Sequence, residues 1–198
     1  MNEQQVMQEF KDAGAILSGH FILSSGLHSP NYVQCARALM DASRGERLCK
    51  ALADKLRSQN IAVDVIVAPA MGGVVVGYEM GRQLNIPTMF CERVDGSFVL
   101  RRGFNVEAGQ KVLIVEDVVT TGKSSMEAVS CIKGYGAVPV AVASLIDRRG
   151  SNDVSLTLPL VSLIKLDIPT YKPDALPPEL QNIPAVKPGS RFINQKAS

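Results

Sequence analysis

The 198-residue sequence contains no tryptophan, two histidines and only 5% aromatic residues. Its four cysteines form no C-x-x-C pair, so neither a zinc site nor a disulfide framework is predicted. No long apolar stretch follows the polar amino terminus, so we expect no secretory signal and no membrane span. Because 21 basic residues stand against 19 acidic ones, no nucleic-acid or membrane partner is expected either. A cytoplasmic protein is predicted.

Alternating strand and helix patterns indicate the fold class. Helical spacing of apolar residues is found at residues 3–17, 42–58, 74–84 and 124–135. Short apolar runs predict buried strands at residues 61–68, 87–91, 112–115, 138–146 and 158–166. This order predicts an α/β protein with a doubly wound parallel sheet.

The most informative stretch is residues 112–124. Residues 112–115 predict a strand buried on both faces, and Glu116 and Asp117 follow where ligands of open α/β sheets bind. Residues 120–124, Thr-Thr-Gly-Lys-Ser, then stand where a helix begins. Unpaired N–H groups and hydroxyls at that place suit a dianionic phosphate.

Two acids beside a phosphate site would repel the ligand unless they contact something else. Ribose hydroxyls meet that need, and a carboxylate also stabilises positive charge that develops on a sugar ring. The alternative is an acidic surface turn without function. A P-loop is not predicted, because the first glycine of G-x-x-x-x-G-K-S/T would be residue 117, which is Asp117.

An apolar strand, an acid pair, two apolar residues and Thr-Thr-Gly-Lys-Ser together resemble the phosphoribosyl-pyrophosphate (PRPP) motif of type I phosphoribosyltransferases. The resemblance implies that residues 120–124 hold the 5′-phosphate and that the acid pair holds the ribose. The implied PRPP-binding residues in this stretch are Glu116, Asp117, Val118, Val119, Thr120, Thr121, Gly122, Lys123 and Ser124.

An earlier strand–turn–helix unit carries Gly72 and Gly73 at its turn. Glycines there either let the backbone approach an anion closely or serve tight packing, and the chemistry alone leaves both interpretations open. In the type I family the equivalent turn is a pyrophosphate loop, so the resemblance adds Gly72 and Gly73 to the PRPP-binding set. The lysine that some members carry here falls on Gly72 and is missing.

Two further stretches resemble the orotate phosphoribosyltransferase family. Phe-x-Leu-x-Ser-Gly-x-x-Ser-Pro, here Phe21 to Pro30, forms part of a hood over the base in that family, with Ser24 where many members have lysine. Asp147-Arg148 matches a pair that contacts the carboxylate of the base. The implied orotate-binding residues are Thr120, Arg148, Ser25 and Gly26, whereas His28 is interpreted as a turn residue rather than a catalytic base.

A long charged segment, Glu92 to Gln110, separates two strands and is predicted to be a mobile flap in which Ser97 to Leu100 form a short hairpin. A solvated hairpin without a catalytic role is the alternative. In the orotate family a catalytic flap at this place closes over pyrophosphate, and Arg93 matches its first arginine. Arg101 or Arg102 would replace the charge of the family lysines and histidine that are absent here.

The resemblance implies transfer of a 5-phosphoribosyl group from PRPP to orotate, which gives orotidine 5′-monophosphate and pyrophosphate in pyrimidine synthesis. The implied catalytic residues are Asp117, Arg93, Arg101 and Arg102. Mg²⁺ is expected mainly on PRPP rather than on protein ligands, and a homodimer with shared sites is expected. A purine phosphoribosyltransferase and a PRPP-sensing regulator of the same fold are the alternatives.

One domain is predicted over residues 1–198. Residues 1–40 would form an amino-terminal helix and the hood, and residues 42–168 the α/β core. Residues 169–198, with six of the eleven prolines, would extend over the surface or be disordered.

Overall fold

The computed structural model describes residues 1–23, 25–150 and 156–188. Ser24 and residues 189–198 of the predicted tail lie outside this part of the chain. The helices and strands, in chain order, are α1 (Glu3–Asp12), β1 (Ile16–Ile22), β2 (His28–Val33), α2 (Cys35–Leu39), α3 (Ala42–Ser58), β3 (Val65–Pro69), α4 (Gly72–Leu84), β4 (Thr88–Val94), β5 (Ser97–Leu100), β6 (Lys111–Val119), α5 (Lys123–Gly134), β7 (Val138–Asp147), β8 (Leu160–Lys165) and α6 (Pro178–Gln181).

Six strands form the central sheet in the order β5-β4-β3-β6-β7-β8, and all neighbours pair in parallel except β4 with β5. Helices α3 and α4 pack on one face of this sheet and α5 packs on the other. The predicted doubly wound α/β fold is therefore confirmed. Strands β1 and β2 form a separate antiparallel ribbon, which we call the hood.

Strand β6 lies near the middle of the sheet and is apolar on both faces. Leu113 and Val115 join the core on the α3 and α4 side, whereas Val112 and Ile114 join the core on the α5 side. Each such buried side chain stabilises the fold by roughly 1.5–3 kcal/mol. Because successive side chains of a strand alternate between faces, the next two residues of β6 must point towards opposite helices.

Several predicted boundaries were wrong. Helix α1 ends at Asp12 rather than at residue 17, because the chain turns at Gly14 with a φ of +57°. Strand β3 begins at Val65 rather than at residue 61, and β6 continues to Val119, so both acids lie inside a strand. The short helix α2 was not predicted. Helix α3 has the predicted bounds.

The described part of the tail, residues 169–188, contains turns and the short helix α6 and contacts both strands of the hood. Tyr171 pairs with His28 of β2, and Val186 pairs with Phe21 of β1. Within the described ranges, none of the helices has the length and apolar character that crossing a membrane requires.

Candidate active site

A single pocket at the carboxyl edge of the sheet brings together most of the predicted site residues. Its lining includes Ser25, Gly72, Arg93 and the whole of residues 116–124. The predicted residues Gly26, Gly73, Arg101, Arg102 and Arg148 do not belong to this lining. The pocket therefore joins the PRPP motif with the first flap residue and the hood.

The first acid of the pair, Glu116, points towards α5 and is 8% exposed. Ser125, in the first turn of α5, donates a hydrogen bond of 3.5 Å to its Oε1 atom. Burial, helped by the nearby Asp117 carboxylate, raises the pKa of Glu116 to about 8. At neutral pH this group therefore holds a proton, and the repulsion expected between two adjacent carboxylates and a phosphate ligand is reduced. Sequence analysis missed Ser125, although it directly follows the motif.

The second acid, Asp117, points towards α4. A Cβ atom built on Gly72 would lie 2.8 Å from Asp117 Oδ1, so the turn after β3 is in direct contact with this carboxylate. The backbone N–H of Val118 donates a 2.9 Å hydrogen bond to the same oxygen. Burial raises the pKa of Asp117 as well.

The two neighbouring glycines of that turn have different roles in the structure. A Cβ atom on Gly73 would lie 2.6 Å from the backbone carbonyl oxygen of Val115, so Gly73 allows α4 to pack directly on β6. Gly72 instead lines the pocket beside Asp117. Of the two interpretations that the sequence left open, tight packing describes Gly73, whereas Gly72 lies where a ligand would bind.

The loop between β6 and α5 forms the floor of the pocket. Gly122 is the N-cap of α5, has a φ of +78°, and provides no side chain to bond the first N–H groups of the helix. The hydroxyl of Thr121 accepts a 3.3 Å hydrogen bond from the Lys123 N–H. A helix start of this kind presents N–H donors and a positive dipole end to an anion.

The predicted hairpin of the flap is confirmed, and it continues β4 into the solvent. Its two-residue turn, Asp95-Gly96, has positive φ at both positions, which is typical of a type I′ hairpin. Arg93 donates a 2.8 Å hydrogen bond to the Gly96 carbonyl oxygen, lies 4.2 Å from the centre of the Phe98 ring and forms an ion pair with Glu127 of α5. Arg93 is thus held at the edge of the pocket by three contacts.

The two other flap arginines lie elsewhere. Arg102 donates a 2.7 Å hydrogen bond to Glu92 and lies 5.6 Å from the centre of the Phe90 ring, and Arg101 is exposed. Both side chains lie outside the pocket of their own chain.

Asp147 and Arg148, at the end of β7, make different contacts. The buried Asp147 carboxylate accepts hydrogen bonds from Arg149, at 3.0 Å from Nε and 2.9 Å from Nη2. Arg148 instead lies near Tyr32 and Cys35, and burial lowers its pKa. Its Nε atom is buried, and no hydrogen-bond partner for it is found within the described ranges.

The hood and the tail complete the rim of the pocket. Ile22 and Ser25 line it from the hood, and Lys187 and Pro188 line it from the tail. Sequence analysis missed the two tail residues, because no local pattern connects them to the hood. His28 is the first residue of β2 rather than a turn residue, and its Nδ1 lies 2.5 Å from His20 Nε2.

Among the residues that the structure describes, no group of three or more His, Cys, Asp or Glu side chains could hold a metal ion. The acid pair alone therefore offers at most two carboxyl groups to a cation.

A helix start suited to a phosphate, next to two acids on β6 of a doubly wound sheet, is typical of phosphoribosyltransferases. In agreement, residues 36–168, which are more than half of the chain, match the model of the phosphoribosyl transferase domain.

Sequence relatives show which kind of phosphoribosyltransferase the chain resembles. The chain is 55% identical over 192 residues to orotate phosphoribosyltransferase from Rhizorhabdus wittichii. This alignment covers 96% of this chain and 97% of the relative. It is 52% identical over 194 residues to the protein of that name from Sphingopyxis alaskensis, with coverage of 98% and 99%. The crystal structure of orotate phosphoribosyltransferase from Aeropyrum pernix matches with a TM-score of 0.68 and 24% identity, over 81% of this chain and 93% of that one, and supports the fold alone. The chain belongs to the orotate phosphoribosyltransferase family.

Proposed function

We propose that the chain transfers the 5-phosphoribosyl group of PRPP to orotate, giving orotidine 5′-monophosphate and pyrophosphate in pyrimidine synthesis. The observation that carries this proposal is the single pocket in which the acid pair, the uncapped start of α5 and the hood meet. The names of the curated relatives support orotate rather than a purine as the acceptor.

PRPP is bound first through its 5′-phosphate, which lies on residues 120–124. The N–H groups at the start of α5 and the hydroxyls of Thr120, Thr121 and Ser124 act as donors to its oxygens. Gly72 leaves room on the opposite side of the acid pair for the pyrophosphate.

The acid pair binds the ribose, and its two members act differently. Protonated Glu116 and the Asp117 carboxylate are both available to the ribose hydroxyls. As the bond to pyrophosphate breaks, positive charge grows on the sugar ring, and the Asp117 carboxylate stabilises it more strongly than it stabilises bound PRPP.

Orotate binds under the hood, where Ser25, Gly26 and Thr120 border its ring. The Arg148 Nε is buried without a partner in the described part of the chain, and the carboxylate of orotate supplies the acceptor that it lacks. A purine has no carboxylate and would leave this guanidinium unpaired. A ring nitrogen of orotate then attacks the anomeric carbon.

Magnesium would be held mainly by PRPP, since no group of three or more His, Cys, Asp or Glu side chains suited to a metal ion is found among the described residues. When bound with PRPP beside the acid pair, Mg²⁺ would supply positive charge that neutralises the leaving pyrophosphate. Arg93, at the edge of the pocket, adds a second positive charge when the flap closes, and closure excludes water from the reacting sugar.

The active form is proposed to be a homodimer in which the flap reaches the site of its neighbour. Met71, Val75 and Tyr78 recur along one side of α4 and are 82%, 53% and 71% exposed, which gives an apolar face that a second copy would cover. Arg101 and Arg102 lie outside the pocket of their own chain, and they would serve the partner, Arg102 after leaving its ion pair with Glu92. A cytoplasmic location is proposed, supported by four cysteines that are all free thiols.

A pyrophosphate-release assay tests the proposed function. The purified chain is incubated with Mg²⁺ and PRPP, and orotate, uracil, adenine, guanine and hypoxanthine are supplied separately. We expect release with orotate to exceed that with every other base. Equal turnover of adenine and orotate would contradict the assignment, and tight PRPP binding without turnover of any base would favour the regulator.

A further inference from the structure

The carboxyl-terminal segment is bonded to the hood along both of its strands. On β1, the Val186 N–H donates to the His20 carbonyl oxygen at 2.8 Å, and the Ile22 N–H donates to the Val186 carbonyl oxygen at 2.9 Å. On β2, His28 and Tyr171 exchange two backbone hydrogen bonds of 2.8 Å. The segment is thus joined to each strand of the hood by an isolated β-bridge.

A contact between His20, which is buried, and His28 links the side chains of the hood to the tail. His20 is 5% exposed, and its Nδ1 lies 2.8 Å from the carbonyl oxygen of Ile183. Since a carbonyl oxygen only accepts, Nδ1 of His20 carries the proton. The other ring nitrogen of His20 lies 2.5 Å from Nδ1 of His28, so the imidazoles link both hood strands to the tail.

These contacts determine where the next residue of the tail lies. Val186 is paired to β1, and the following residues, Lys187 and Pro188, line the same pocket as Glu116 and Asp117. The tail therefore brings a lysine to the hood side of the candidate active site.

The charges around the pocket are unevenly placed. The basic residues in its described lining are Arg93, Lys123 and Lys187. Arg93 and Lys123 both lie beside Glu127 on the flap and α5 side, where Arg93 forms an ion pair and Lys123 Nζ is 3.9 Å from the carboxylate. Lys187 follows Val186, which pairs with β1, so it enters the pocket from the hood side.

We propose that Lys187 binds an anionic group of the substrates, either the carboxylate of the base or a phosphate of PRPP, and that the bonded tail positions it there. This inference rests on the proposed function. An ammonium group at this place offers three N–H donors to a carboxylate or phosphate oxygen.

The test compares Lys187→Met, Lys187→Arg and the matched control Lys172→Met, which removes an exposed lysine of the same tail outside the pocket. Calorimetry with PRPP, pyrophosphate and orotate, each with Mg²⁺, is combined with separate KM values for orotate and PRPP. We expect Lys187→Met to lower the affinity for the ligand group that Lys187 contacts roughly 10- to 100-fold, the range for a lost charged hydrogen bond. Lys187→Arg and Lys172→Met should stay within about threefold of the wild type.

The ligand whose affinity falls identifies the group that Lys187 contacts. A loss for PRPP and pyrophosphate assigns Lys187 to a phosphate, and a loss for orotate alone assigns it to the carboxylate. Unchanged affinity for all three ligands in Lys187→Met would overturn the inference, as would an equal loss in Lys172→Met or in Lys187→Arg. If the wild type binds PRPP but turns over no orotate, the proposed function fails, while the PRPP and pyrophosphate titrations still decide the role of Lys187.

Discussion

The loop after β6 and the hairpin of β4 and β5 contribute to the same pocket in opposite ways. The β6 loop continues from a strand buried on both faces, and the two acids of that strand are held by burial and by contacts with Ser125 and Gly72. The hairpin projects into solvent, and Arg93 and Arg102 are paired with acids of their own chain. The first region is fixed before substrate arrives, whereas the second must exchange contacts to act.

This difference separates two kinds of catalytic contribution. Preorganised groups stabilise developing charge without rearrangement during the reaction, so their loss should reduce kcat. Groups that arrive with a closing loop act through closure, and their loss should affect binding and catalysis together.

The strongest test of the preorganised region is Asp117→Asn. Because the carboxylate acts mainly on the charged transition state, kcat should fall roughly 10²- to 10³-fold while PRPP affinity stays within about threefold. Steady-state kinetics and calorimetry with PRPP measure the two effects. Asp174→Asn, in the exposed tail, is the control and should leave both unchanged. Loss of PRPP binding with an unchanged rate at saturation would contradict the role given to Asp117.

Arg148→Ala tests whether a fixed residue outside the pocket lining still contacts substrate. Removal of a charged contact should lower kcat/KM for orotate by roughly 2–3 kcal/mol, about 30- to 150-fold, with little change in the KM for PRPP. The neighbouring Arg149→Ala is the matched control. It unpairs the buried Asp147 and should lower the melting temperature, but the KM for orotate should remain near that of the wild type. An orotate KM that changes equally in both variants would assign Arg148 a structural role.

Mixed dimers show whether the flap acts in the pocket of its own subunit or in that of its partner. A variant with Arg101 and Arg102 changed to Ala, the two flap arginines outside the pocket of their own chain, is mixed with Asp117→Asn. In a dimer with shared sites, each heterodimer contains one pocket with an intact flap and an intact acid pair. Equal mixing with full subunit exchange should then restore about a quarter of wild-type activity. If verified heterodimers are as inactive as both parents, the flap serves its own subunit.

The smallest expected effect concerns the proton on Glu116. In the unfolded chain Glu116 ionises near its ordinary pKa of 4.5, whereas the folded protein keeps the proton until about pH 8. The unfolded state therefore binds fewer protons between these values, and stability falls as pH rises from about 4.5 to about 8. Glu116→Gln has no titratable group at this position, so its melting temperature relative to that of the wild type should rise steadily from pH 5 to pH 8. A difference that does not grow with pH would show that Glu116 is ionised in the folded protein.

The sequence predicted the preorganised region well, because the residues that form it are contiguous. An apolar strand, two acids and a hydroxyl-rich helix start follow one another, so local physical chemistry was sufficient to bring residues 116–124 to one sheet edge. The length of β6 was underestimated because acids are poor strand formers, and here packing overrides that preference. The early end of α1 had a local signal in Gly14, which the helical spacing of the apolar residues concealed.

Contacts between residues far apart in the sequence could not be predicted. Nothing near Val186 indicates that it pairs with Phe21, and the tail was therefore assigned no part in the site. Likewise, Arg148 and Arg149 differ because Asp147 binds Arg149 and not Arg148. Since the two residues are adjacent and identical, the sequence does not indicate which of them Asp147 binds.

The contact between Gly72 and Asp117 restricts the order in which this site can change over evolutionary time. A side chain at position 72 would meet the Asp117 carboxylate, with Cβ 2.8 Å from Oδ1, so a lysine there requires this carboxylate to move. A gain of positive charge at position 72 therefore changes the position of the acid that we propose acts on the ribose. The two positions are therefore epistatic, and a lineage that holds glycine at position 72 gains positive charge more readily on other segments around the pocket.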